Sequence, residues 1–152
     1  MEIERKFLIE KGSFEYEKYP YKELVQGYLN TSPVVRVRRE GDEYYLTYKG
    51  SGLMIREEYN LPLTKEAFEH LIEKSDGNII KKKRFFIPLG DLTIELDEFA
   101  PPFAPLLMAE VEFATKEAAE SFLPPKWFGK EVTDDPKYHN SNMSKQIFSH
   151  LP

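Results

Sequence analysis

The sequence predicts a mainly β protein of the α+β class, one domain spanning residues 1–152. Three observations predict it. Apolar and polar residues alternate with a period of two in eight segments. Short turn signals at Gly41-Asp42, Gly50-Ser51-Gly52 and Gly90-Asp91 fall between several of them, as antiparallel hairpins require. The ionisable residues of the segments also gather on one face, sorted by sign from strand to strand.

The expected strands are Glu2–Ile9, Tyr21–Leu29, Val34–Glu40, Tyr44–Lys49, Met54–Pro62, Asn78–Ile87, Leu92–Phe99 and Leu106–Ala114. Two helices interrupt them. Thr64 to Glu73 carries an apolar stripe at Ala67, Phe68, Leu71 and Ile72, with Thr64 as N-cap. Lys116 to Leu123 follows Thr115 in the same way, and the tail from Asn140 to Leu151 offers a third helix. No linker or repeat of solenoid length divides the chain.

Strand side chains at i and i+2 share a face. Glu2, Glu4 and Lys6 therefore oppose Ile3, Phe7 and Ile9, with Arg5 as the exception on the apolar side. Arg36 and Arg38 oppose Val35 and Val37, and Thr47 and Lys49 oppose Leu46 and Tyr48. Arg56 shares a face with Glu58. Lys82 and Arg84 oppose Phe85 and Ile87, Glu95 and Asp97 oppose Ile94 and Leu96, and Glu110 and Glu112 oppose Val111 and Phe113. Periodicity alone fits a solvated sheet face over a core. Segregation by sign fits it less well, because solvated faces mix charges. A barrel of about eight strands has room inside for side chains or a small ligand. Turned inward, these faces give one set of cations and one of carboxylates. Arginine forks suit phosphate oxygens, and Mg²⁺ binds through carboxylates plus substrate phosphates. A metal-bridged polyphosphate satisfies both sets.

Composition narrows the alternatives. Lys+Arg is 21 and Asp+Glu is 26, a net charge of -5, which weighs against a nucleic-acid partner. With no cysteine, thiolate metal sites and cysteine nucleophiles are excluded. No apolar run reaches the roughly 20 residues that span a bilayer, and the charged N-terminus does not resemble a signal peptide. A cytoplasmic protein without a membrane partner is expected. His70, His139 and His150 are dispersed and expected at the surface. Lys81-Lys82-Lys83-Arg84 is split two and two across its strand, so it forms no continuous basic patch. Trp127 and Phe128 are expected to pack a loop, and Asn140-Ser141-Asn142 either to close a tunnel mouth or to cap a helix.

Glu2-Ile3-Glu4-Arg5-Lys6-Phe7 resembles the E-x-E-x-K signature that opens the CYTH domain, the triphosphate tunnel metalloenzymes. Gln26-Gly27-Tyr28-Leu29, Val35-Arg36-Val37-Arg38, Thr47-Tyr48-Lys49-Gly50, Arg56-Glu57-Glu58-Tyr59, Lys82-Lys83-Arg84-Phe85, Glu95-Leu96-Asp97 and Glu110-Val111-Glu112-Phe113 follow in the family's order. The resemblance implies a closed eight-stranded antiparallel tunnel with a charged lumen and a few covering helices. It implies that Lys6, Arg36, Arg38, Lys49, Lys82 and Arg84 hold phosphates, with Arg56 added by its parity. Glu2, Glu4, Glu58, Asp97, Glu110 and Glu112 would hold two Mg²⁺ or Mn²⁺ ions, and Glu4, Lys6, Glu110 and Glu112 form the catalytic set. Glu95 matches the pattern without an assigned role.

The activity so implied is hydrolysis of a triphosphate by metal-assisted phosphoryl transfer to water. The short chain looks like the compact bacterial members that act on inorganic tripolyphosphate. A CYTH-type adenylate cyclase, a nucleoside or thiamine triphosphatase, and a polyphosphate-binding module without turnover remain alternatives. The sequence is silent on oligomeric state.

Overall fold

The computed structural model describes residues 1–147. The described strands are β1 (Glu2–Ile9), β2 (Tyr21–Thr31), β3 (Val34–Glu40), β4 (Glu43–Lys49), β5 (Ile55–Arg56), β6 (Glu58–Pro62), β7 (Asp76–Leu89), β8 (Leu92–Phe99), β9 (Leu107–Glu112) and β10 (Phe128–Glu131). The helices are α1 (Lys65–Ile72), α2 (Lys116–Ser121) and α3 (Asn140–Met143). All pairs are antiparallel, in the order β10-β1-β9-β8-β7-β2-β3-β4-β6, with β5 paired to β1 off that path. No described helix is long and apolar enough to cross a membrane.

The mainly β class and the antiparallel pairing agree with the sequence. The closed eight-stranded barrel does not: the sheet has ten strands and its ladder stays open. The expected strand Met54–Pro62 is the reason. It breaks at Glu57 and changes partner there. Ile55 and Arg56 pair with Ile3 and Glu2 of β1, whereas Glu58 to Pro62 pair with β4. The two stretches do not overlap, so no residue carries both ladders and the gap is not bridged. The turn before β5 needs Gly52. Its φ is +124°, and a Cβ there would sit 2.2 Å from the Ile55 carbonyl oxygen. β10 was not expected, because Phe128–Glu131 is short and its neighbour β1 already satisfies the alternation signal.

Alternation sends the apolar set of β1, β7, β8 and β9 outward. Phe85, Ile87, Ile94, Leu96, Val111 and Phe113 form one core with Tyr16 and with Ala119 of α2. Each such side chain contributes roughly 1.5–3 kcal/mol when fully buried. Thr115 caps α2 by accepting from Ala118 N–H (3.0 Å), and Thr64 caps α1 by accepting from Ala67 N–H (3.1 Å), as its sequence predicts. A second core contains Tyr28, Ile80, Phe99, Met108 and Met143. By parity, Ile80, Phe99 and Met108 lie on the face that carries the charges. The inner face therefore changes along the strands from charged to apolar, and α3 packs against its apolar end through Met143. The expected tail helix is limited to Asn140–Met143 among the described residues; its part beyond 147, and His150, lie outside them.

Candidate active site

The charged faces line one cavity of about 360 Å³. Glu2, Glu4 and Lys6 reach it from β1, Arg36 and Arg38 from β3, Lys49 from β4, Arg56 from β5 and Glu58 from β6. Lys82 and Arg84 reach it from β7, Glu95 from β8, and Glu110 and Glu112 from β9. Solvation of this face is overturned, since most of these side chains are buried. Lys81 and Lys83 point away and are exposed while Lys82 and Arg84 are buried, as the alternation requires.

Strand order turns sign segregation into two walls. β1, β9 and β8 are neighbours and supply carboxylates, apart from Lys6. β7, β2 and β3 are neighbours and supply Lys82, Arg84, Arg36 and Arg38. Ion pairs concentrate where the walls meet. At the β7–β8 seam Arg84 Nε and Nη2 donate to Asp97 (2.8 and 2.9 Å), and Lys82 Nζ lies 2.7 Å from the same carboxylate. At the opposite seam Lys49 Nζ donates to Glu2 (3.1 Å) and lies 3.2 Å from Glu58, while Arg56 Nε is 3.6 Å from Glu2. Within the acidic wall Lys6 Nζ sits between Glu110 (3.0 Å) and Glu4 (3.2 Å).

The wall centres are less compensated. Arg36 Nη2 donates to the Thr47 hydroxyl (3.2 Å), and its buried Nε has no hydrogen-bond partner among the described residues. Arg38 Nε donates to Gln26 Oε1 (2.8 Å), with Glu40 of its own strand at 3.7 Å. Burial, with Arg36 and Arg84 alongside, pushes Arg38 down to about 9. On the other wall no described cation lies within 4 Å of Glu112. Burial and the neighbouring Glu58 and Glu4 push its carboxyl up. Glu2 is likewise pushed up, by burial and by Glu4, while its hydrogen-bonded neighbour Glu58 is held down against burial by Glu2 and Lys49. Against burial, Lys6 and Arg84 hold Glu110 well below the ordinary carboxylate range.

Asp97 departs from expectation. It is fully buried, does not line the cavity, and spends both oxygens on Arg84 and Lys82. Its place is that of a counter-ion beneath two cations. His139 is also corrected. It is buried, with Nε2 3.2 Å from the Thr133 carbonyl, whereas His70 is exposed as expected. Arg5 is explained by β10: its guanidinium donates to both oxygens of Glu131 (2.8 and 2.7 Å) and to the carbonyls of Ala119 and Phe122 at the end of α2. Trp127 stacks on Phe14 with ring centroids 4.1 Å apart, which agrees with loop packing.

Tyr28, Thr47 and Asn60 also line the cavity and Gln26 stands behind Arg38, none of them assigned a role from the sequence; Asn140 and Ser141, from the stretch expected to close a tunnel mouth or cap a helix, line it too. Thr47 shares its face with Lys49, and Gln26 shares its face with Tyr28, so parity marked both. The polar stretch at Asn140 stood out in the sequence, but its contacts with Lys82 and Gln26 did not, because it arrives from the far end of the chain. No three His, Asp or Glu side chains among the described residues converge on a single point as they stand. The glutamates turn instead to Lys6 and Lys49. As donors, though, Glu2, Glu4, Glu58, Glu110 and Glu112 offer hard carboxylate oxygens to one cavity. Burial, and after it the neighbouring carboxylates, push Glu2 and Glu112 up, and a divalent cation would relieve the repulsive part of that push.

An antiparallel sheet with a deep cavity, one wall basic and one acidic, defines a class built to hold a polyanion. The CYTH domain model matches residues 1–134, and the chain belongs to the CYTH domain family. It is 40% identical over 151 residues to a Nitrosomonas europaea protein named inorganic triphosphatase, covering 96% of this chain and 98% of that one. An Acetivibrio thermocellus protein of the same name is 35% identical over 163 residues, covering 99% of this chain and 97% of that one. A crystal structure described as an inorganic triphosphatase superposes with a TM-score of 0.71 at 38% identity, covering 97% of this chain and 96% of that one.

Proposed function

We propose that this protein hydrolyses inorganic tripolyphosphate to pyrophosphate and phosphate in the charged cavity, with Mg²⁺ or Mn²⁺, two ions per site. The observation that carries the reading is the basic wall of the cavity: Arg36, Arg38, Lys82 and Arg84 line it together, and the buried Arg36 Nε has no hydrogen-bond partner among the described residues. An unmet buried donor costs about 1–3 kcal/mol, more when charged. A phosphate oxygen meets that need. The names of the two relatives point to the same substrate class.

Arg36, Arg38, Lys82 and Arg84 hold the phosphate chain and neutralise charge that builds on the leaving phosphates, where most stabilisation of phosphoryl transfer lies. Lys49 and Arg56 extend that grip along the second seam. Glu2, Glu4, Glu58, Glu110 and Glu112 would hold the metal ions, which supply charge neutralisation and acidify a bound water. Lys6, kept protonated by Glu110 and Glu4 against its burial, bridges those two carboxylates and keeps a positive hydrogen-bond donor at the acidic wall. No side-chain nucleophile is required. Asp97 is left out of the ligand set and serves Lys82 and Arg84. We place the activity in the cytoplasm, with neither nucleic acid nor membrane as partner.

The test is orthophosphate release from tripolyphosphate, ATP and pyrophosphate in parallel, with Mg²⁺, Mn²⁺ or EDTA. Release is expected fastest from tripolyphosphate and absent in EDTA. Glu112→Gln should raise the metal concentration for half-maximal rate at least tenfold. Release fastest from ATP would replace the substrate. Full activity in EDTA would remove the metal from the reading.

A further inference from the structure

Arg36 and Arg38 at the centre of the basic wall hydrogen-bond to neutral oxygens, and Lys82, which pairs with Asp97 at the seam, donates to a neutral oxygen as well. Gln26 and Arg38 are direct partners across β2 and β3, and Gln26 Oε1 accepts from Arg38 Nε at 2.8 Å. Arg36 and Thr47 are direct partners across β3 and β4, and the Thr47 hydroxyl accepts from Arg36 Nη2 at 3.2 Å. Asn140 Oδ1 accepts from Lys82 Nζ (2.8 Å) and from Gln26 Nε2 (3.0 Å). The three side chains are all buried.

These residues need not touch a ligand to matter. A carboxylate at any of them would make a stronger bond to the cation, but it would also cancel the charge and repel an incoming anion. A neutral oxygen fixes the direction of the guanidinium or ammonium and leaves its charge available. Asn140 is itself seated firmly. Asn78 N–H donates to the Ser144 carbonyl at 2.6 Å, and Asn78 Nδ2 donates to the carbonyls of Ser144 and Gln146. Gly77 has φ +69°, and a Cβ there would meet the Ser144 oxygen at 2.2 Å, so only glycine lets β7 approach this turn.

We propose that Gln26, Thr47 and Asn140 are positioning residues: neutral acceptors that aim Arg38, Arg36 and Lys82 into the cavity without adding a further negative charge beside them, and so set the affinity for the triphosphate. This rests on the functional reading above and adds the residues that tune its substrate grip. Through Asn140, the C-terminal turn becomes part of the binding machinery. Gln26 then couples two cations on different strands, since it contacts both Arg38 and Asn140.

The test uses near-isosteric variants of the full chain. Gln26→Glu and Asn140→Asp keep shape and acceptor but add a negative charge. Thr47→Val keeps shape and removes the acceptor. KM and kcat for tripolyphosphate are measured with Mg²⁺, alongside tripolyphosphate binding by calorimetry and Tm. We expect KM and Kd to rise about tenfold or more in the two carboxylate variants and severalfold in Thr47→Val. We expect kcat to fall by less than KM rises, and the Gln26→Glu/Asn140→Asp pair to lose less than the product of the single losses, because they share one network. Unchanged Kd in both carboxylate variants at wild-type Tm overturns the proposal. So does a loss confined to kcat and Tm. If the wild type binds tripolyphosphate without hydrolysing it, the functional reading fails while calorimetry still decides this inference.

Discussion

The two walls of the cavity solve opposite electrostatic problems with the same material. The acidic wall of β1, β9 and β8 carries an internal counter-ion, Lys6, lodged between Glu4 and Glu110. At the centre of the basic wall of β7, β2 and β3 the nearest described anion is Glu40, 3.7 Å from Arg38, and Gln26 and Thr47 supply the hydrogen bonds. The wall's buried carboxylate partner is Asp97, at the seam and out of the cavity. Like charges packed this way are costly without compensation. One wall therefore carries its own cation within the fold, while the centre of the other relies on neutral oxygens. Ion pairing is densest at the seams, and neutral hydrogen-bond acceptors stand at the centre of the basic wall.

The sharpest way to break this contrast is Asp97→Asn. It strips the shared anion from two buried cations and should cost about 3–5 kcal/mol of unfolding free energy, read by urea titration. A loss below 1 kcal/mol would mean the seam does not hold the fold. Arg38→Met tests the other side. It should lower kcat/KM for tripolyphosphate about a hundredfold, yet leave stability unchanged or raised, because Arg38 crowds Arg36 and Arg84 and is pushed down by them and by burial. Parallel loss of stability and activity would erase the distinction between the walls.

A smaller effect checks the outer side of β1. The Arg5 guanidinium, through its hydrogen bonds, holds Glu131 below its ordinary value of 4.5. A folded value below the unfolded one stabilises at pH above the unfolded value, and the gain disappears as pH falls through the lower, folded value. The pair is partly exposed, so Glu131→Gln should cost about 0.5 kcal/mol near pH 7. Its Tm deficit against the wild type should close as pH drops below about 4.5. A deficit that persists in acid would assign the contact to packing on the end of α2 instead of charge.

Legibility in the sequence followed the period of two. Parity alone placed all but one of the predicted charged site residues on the cavity face, because a strand cannot send neighbours i and i+2 to different sides. Asp97 obeys parity and still misses the cavity, since depth along a strand is set by packing and not by alternation. The fifth strand shows the same limit. Its alternation survives the break at Glu57, but the change of partner depends on where β1 and β4 lie in space. β10 was invisible because a four-residue strand carries too few positions to show a period, and the contacts of Asn140 with Lys82 and Gln26 were invisible because they join segments far apart in the chain.

The sequence by itself determined which side chains share a face, the sign carried by each strand, and the family, because these follow from local geometry and from residue identity. Tertiary structure decided the rest. Strand order gathered the carboxylate strands into one wall and the basic strands into another, a pairing of segments far apart in the chain that no local pattern encodes. It also chose which cations meet a carboxylate and which meet a neutral oxygen, since that depends on the register across β2, β3 and β4 and on where α3 comes to rest.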